Sequence, residues 1–129
     1  MINHQVAHVT DIMATCLDAA GVSYPSSYHG HSILPLEGRS LVPAFEGLKR
    51  EERPIFWEHE GNRGVRLGKW KLVARYPQGW ELYDMDADRT EMNDLAKTHP
   101  DKVRQMEGAY QNWASRCGVL PWDKVPPAK

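Results

Sequence analysis

At 129 residues the chain is the size of one small domain with a modest core. Sixteen Lys and Arg against 17 Asp and Glu leave a formal charge of −1, so no basic excess points to nucleic acid and no acidic run points to a solvating or disordered tail. Five Trp and five Tyr favour a folded protein, while nine Pro and ten Gly make it rich in turns.

The start, INHQVAHV after Met1, has neither a basic leader region nor a long apolar run, so no signal peptide and no membrane-spanning helix is expected. Residues 10–20, TDIMATCLDAA, carry Ile12, Met13, Cys16, Leu17 and Ala20 at helical spacing. Thr10 is the expected cap and Gly21 the expected stop. The apolar side of this helix is broad and needs a sizeable partner surface. Residues 22–53, broken by Pro25, Gly30, Pro35, Gly38, Pro43 and Gly47, read as a long loop with one helical turn near Leu41–Phe45. Loops of that length are usually functional or packed on something larger.

Four strands follow, and turn arithmetic sets their pairing. Gly68-Lys69 is a Gly-X hairpin turn that puts Leu67 opposite Trp70 and Val65 opposite Leu72. Pro77-Gln78-Gly79 reads as a three-residue turn with Gly79 left-handed, placing Tyr76 opposite Trp80 and Arg75 opposite Glu81. For the first hairpin, a two-residue Gly61-Asn62 turn mixes the faces. A three-residue turn Glu60-Gly61-Asn62 pairs Trp57 with Val65 and Ile55 with Leu67, and it is preferred because one face must be consistently apolar. That register puts Ile55 and Trp57 on the apolar face, Phe56 on the other, and His59 opposite Arg63. A last helix from Pro100 to Gly118 presents Val103, Met106, Tyr110, Trp113 and Cys117 as a stripe that covers the sheet. Residues 119–129, with Pro121, Pro126 and Pro127, read as an extended tail. The fold class is therefore α+β: a small four-stranded antiparallel meander covered on one face by a C-terminal helix, preceded by a helix and a long loop. The division expected is 1–53 for helix and loop, 54–118 for sheet and packed helix, and 119–129 for the tail.

Few residues look like chemistry. Asp84, Asp86 and Asp88 begin like a calcium loop, but Arg89 stands where Gly is needed and Leu95 where the closing Glu belongs, so turn chemistry is the reading. His4 and His8, and His29 and His31, form pairs with no third ligand fixed nearby, and zinc needs three or four. They read as loop and terminus histidines; a small hydrolase with a metal at these pairs is the weakest reading. Cys16 and Cys117 fit no disulfide framework and sit late in predicted helices, where the dipole disfavours a thiolate; two separate buried thiols are expected. The run Glu58-His59-Glu60-Gly61-Asn62-Arg63 is richer, since Arg63 has the geometry to grip an anion with two donors. Against that stands a plain solvated hairpin tip with Glu–Arg pairing.

Four segments together resemble the C-terminal subdomain of the sulfatases, especially the arylsulfatase type: HVTDIMATCLDAAGV, GRSLVPAFEG, FWEHEGNRGVRLGKWKLV and WELYDMDADRTEMNDLA, in the family's order over about residues 6–118. Gly64 departs from the family's hairpins, where Ala is more usual. The resemblance implies an α/β catalytic domain elsewhere, with a formylglycine made in a Cys/Ser-x-Pro/Ala-x-Arg motif and a calcium ion held by Asp and Asn. Neither Cys16 in CLDAA nor Cys117 in CGVLP fits that motif. No cofactor is therefore expected in this chain, and its implied partner is the N-terminal catalytic domain. The resemblance implies a subdomain that completes a sulfate ester hydrolase and is inactive alone, with His59, Asn62 and Arg63 facing substrate at the active-site mouth. Without that domain, an exposed apolar patch and self-association are expected. The rival reading is a stand-alone module binding an anionic glycan or a protein partner.

Overall fold

A computed structural model describes residues 2–125, and the chain divides into two compact units, Met1–Glu51 and Glu52–Lys129. Pro126 and Pro127 of the expected tail lie outside the described residues.

The first unit holds helix α1 (Asp11–Ala19), a hairpin of β1 (Ser27–Tyr28) and β2 (His31–Ser32), and the single turn α2 (Val42–Phe45). The turn lies where the sequence places it. The small hairpin was not anticipated; His29 and Gly30 both take positive φ at its two-residue turn. Gly21 takes the expected left-handed conformation after the end of α1, with φ +65, but Thr10 makes no side-chain cap. The start of α1 is closed instead by the fully buried Asp11. Its Oδ1 accepts the Arg39 amide at 2.9 Å, and its Oδ2 accepts the His8 amide at 3.1 Å and the Arg50 guanidinium at 3.2 Å. Thr15 Oγ1 donates to the Asp11 carbonyl and accepts the Leu41 amide. Gly38 fits against this turn because it has no side chain: a Cβ there would lie 2.0 Å from the Thr10 carbonyl oxygen. The long loop is thus tied down in part by hydrogen bonds to one buried carboxylate, which offset the cost of burying that charge. Apolar burial contributes little here. Ala14 is the one buried apolar residue described in this unit, while Ile12 and Met13 are 59% and 57% exposed.

The second unit is the expected meander, β3 (Ile55–His59), β4 (Asn62–Leu67), β5 (Trp70–Ala74) and β6 (Trp80–Asp84), paired antiparallel in chain order, with α3 (Pro100–Cys117) packed on one face. Gly68 and Lys69 make the expected turn, with Val65 opposite Leu72. Val65, Leu72 and Leu82 are fully buried beneath Met106, Tyr110 and Ala114. Each large side chain so buried contributes about 1.5–3 kcal/mol. α3 begins at Pro100 and ends at Gly118, in the left-handed conformation at φ +68, as expected. Ala114, rather than Cys117, completes its inward stripe, and both Cys117 and Cys16 are exposed free thiols, contrary to the expectation of burial.

Two turns differ from the sequence reading. The first hairpin turns on two residues, Glu60 and Gly61, both at positive φ, so His59 faces Asn62, Trp57 faces Gly64 and Phe56 faces Val65. Two left-handed residues match the twist of a tight hairpin. Phe56 therefore joins the covered face and stacks on Trp113 at 5.3 Å, while Ile55 and Trp57 turn to the other face. Three apolar residues in a row, Ile55-Phe56-Trp57, had left the apolar-face argument nothing to discriminate with. The β5–β6 connection has five residues, 75–79, and Ala74 faces Trp80. Gly79 is not left-handed, Glu81 lies opposite Val73 rather than Arg75, and it accepts the Tyr83 hydroxyl at 3.0 Å. This shift by two keeps every side chain on its expected face. The outer edge of β6 is filled at Leu82, whose amide donates to Asp94 Oδ1 and whose carbonyl accepts the Leu95 amide.

Candidate functional site

The polar run ends up at the tip of the β3–β4 hairpin. Glu58 Oε1 accepts the Gly61 amide at 2.7 Å, fastening the turn. Asn62 bridges outward in both directions: its Nδ2 donates to the His59 carbonyl at 2.9 Å and its Oδ1 accepts the Tyr76 amide at 3.1 Å. His59 projects into solvent, its side chain 81% exposed, with Nδ1 3.9 Å from Glu60 Oε2. Gly61 is enclosed, since a Cβ there would lie 2.9 Å from Trp122 Cβ and 3.0 Å from the Tyr76 ring.

His59 and Asn62 are thus brought together on one face of the hairpin. Arg63 points to the other. It lies opposite Glu58, not His59, with its guanidinium 4.5 Å above the Trp80 ring. Trp80 is held by an indole hydrogen bond to Glu107 and an edge contact with Tyr110. The Tyr110 hydroxyl is buried with no hydrogen-bond partner among the described residues. Burial pushes its pKa up, the Glu58 charge adds to this and the Arg63 charge opposes it, so it stays a neutral donor at ordinary pH.

The other motifs are turn chemistry and surface. Asp84 receives Lys69 at 2.6 Å and the amides of Asp86 and Ala87; Asp88 receives the amides of Met92 and Asn93. Among the described residues no three His, Cys, Asp or Glu side chains gather as a metal-binding group. His8 Nδ1 pairs with Thr10 Oγ1, and His29 packs edge-on against Tyr28. No helix of the described chain is long and apolar enough to cross a membrane. Tyr76 and Trp122 were missed as neighbours of the tip. Tyr76 was within reach, because the correct β4–β5 pairing continues to Gly61 opposite Tyr76. Trp122 gave no signal, since it comes from a short 3-10 turn, Trp122–Lys124, within the expected tail.

Comparison with known proteins adds three findings. Residues 1–109 match the family described as N-sulphoglucosamine sulphohydrolase, C-terminal. The chain is similar to an uncharacterised sulfatase of Schizosaccharomyces pombe, 27% identical over 128 residues, covering 93% of this chain and 23% of the relative, and to arylsulfatase K of Mus musculus, 32% identical over 108 residues, covering 74% and 19%. In fold it is similar to a protein solved with its substrate D-glucosamine-2-N,6-O-disulfate, with TM-score 0.62 and 25% identity, covering 89% of this chain and 25% of that one. The chain spans about a fifth of the length of the curated relatives it matches.

Proposed function

The chain belongs to the sulfatase family through the family's C-terminal subdomain, and we propose from that premise that it completes a sulfate ester hydrolase and lines the substrate mouth with the tip of its β3–β4 hairpin. The observation that carries this is the match over residues 1–109, together with the short span of the relatives that it covers. In this reading His59 and Asn62 meet the substrate from the exposed face. Arg63, anchored on Trp80, meets it from the other side of the tip as a fixed positive charge.

Hydrolysis of a sulfate ester needs an activated nucleophile, charge stabilisation on the sulfate oxygens and a proton for the leaving alcohol. Calcium and formylglycine are implied for the full-length family. The donor set here does not fit them: neither cysteine sits in the modification motif, and no metal-binding cluster forms among the described residues. The nucleophile and metal are therefore assigned to an N-terminal catalytic domain, the partner proposed for this chain. The first unit, with Ile12, Met13, Leu34 and Phe45 all more than half exposed, is proposed as the surface that domain covers. Without it, self-association is expected.

The test assays the purified chain on an aryl sulfate with calcium, alone and after mixing with a matching catalytic domain. The expected result is silence alone and activity on mixing, reduced at least tenfold by Arg63→Ala. Robust activity of the chain alone would overturn the reading.

A further inference from the structure

Trp122 lies far in sequence from the hairpin tip, yet it meets it. A Cβ on Gly61 would lie 2.9 Å from the Trp122 Cβ and 3.0 Å from the Tyr76 ring, so both neighbours close on the position a side chain would need. The same two residues are fixed by different means. Tyr76 is tied through its amide to the Asn62 carboxamide, and that carboxamide in turn holds the His59 carbonyl. Trp122 stands at the first position of the 3-10 turn Trp122–Lys124, whose Lys124 amide donates to Pro121 and Val125 amide to Trp122. Val119, just after α3, packs against the main core, so the segment leading to Trp122 is anchored at its root. Both residues stay substantially exposed, Tyr76 48% and Trp122 40%. Neither belongs to the buried core.

We infer that Trp122 and Tyr76 are positioning residues that clamp the β3–β4 tip and hold His59 and Asn62 in one orientation. The inference rests on the reading that the tip faces substrate, but the clamp itself is a property of this chain. A two-residue turn at the end of a hairpin frays readily unless something outside the hairpin holds it. Here two neighbours supply the hold, one from the β5–β6 connection and one from the segment after α3. Gly61 is the point at which they close. The absence of a Cβ at Gly61 thus serves two purposes, allowing positive φ and allowing close approach.

The test compares the 129-residue chain with Trp122→Gly, Trp122→Ala and Tyr76→Ala by amide hydrogen exchange resolved along the chain. Trp122→Gly, which removes the Cβ, and Tyr76→Ala are expected to speed exchange at residues 59–62 by tenfold or more while Val65, Leu72 and Leu82 keep their protection. Trp122→Ala, which keeps the Cβ, should retain most of the slow exchange. Unchanged exchange at the tip, or an equal rise throughout the sheet, would overturn the clamp. In the mixed enzyme, Trp122→Gly should raise KM for the sulfate ester several-fold with kcat little changed. Absence of activity from the wild-type mixture would remove the substrate-mouth reading alone, since the exchange measurement decides the clamp separately.

Discussion

Gly64 shows most directly how one residue sets the form of this sheet. The Trp57 indole lies across it from the facing strand, and a Cβ at Gly64 would fall 2.1 to 2.5 Å from three of the ring's atoms. An alanine there forces the indole off its seat, so Gly64→Ala is expected to cost about 1–3 kcal/mol. The check is the midpoint of urea unfolding, read together with a red shift in tryptophan emission as Trp57 gains water. Gly38 is tighter still, because its obstacle is backbone: the Thr10 carbonyl cannot swing aside as a ring can. Tyr83 gives a readout of a different kind. Its pKa is pushed up to about 12, first by burial and then by its hydrogen bond to Glu81. The phenol ionises more easily in the unfolded chain than in the folded one. Whatever stability this adds is complete below about pH 10, the unfolded value, and is lost as pH rises towards 12.

At the scale of elements, the turn after β6 is built on carboxylates. Asp84 is held below the usual carboxylate range by the Lys69 ammonium and then by the amides of Asp86 and Ala87; Asp88 is held low by the amides of Asn93 and Met92. The unfolded chain takes up these protons first. Their contribution is therefore complete above about pH 4 and lost as pH falls below it. Asp88→Asn is expected to flatten the acid limb of a stability profile measured by thermal unfolding between pH 2 and 6. The elements themselves were largely legible in the sequence: α1 and α3 from helical spacing, and the β4–β5 register from Gly68-Lys69. The β3 register was not legible, because Ile55, Phe56 and Trp57 are all apolar and the deciding fact was that Glu60 accepts a left-handed conformation. The arrangement of residues 22–53 was hidden for another reason. It depends on the buried Asp11 gathering the amides of Arg39 and His8 and the Arg50 side chain, and long-range polar bonds have no period to read. At the candidate site, the residues of the tip were recognised, but a one-step slip in register had put His59 across from Arg63.

At the scale of the whole molecule, each of the two units is held internally by different means. The second has a packed interior of Val65, Leu72, Leu82, Met106, Tyr110 and Ala114; the first buries Asp11 and Ala14. A chain of residues 52–129 is expected to fold alone, with cooperative thermal unfolding and near-native ellipticity. A chain of residues 1–51 should give neither, since apolar burial of that extent cannot offset the entropy of ordering some fifty residues. Loss of cooperative unfolding from the 52–129 chain would contradict this. The filled edge of β6 bears on how such pieces behave in a crowded solution. With the Asp94 carboxylate on the Leu82 amide and the Leu95 amide on its carbonyl, a stray strand from a neighbouring chain finds no vacant ladder there, and a carboxylate on guard repels the backbone carbonyls it would bring. Refolding from denaturant at high concentration is therefore expected to be steered away from strand stacking at that point of the edge.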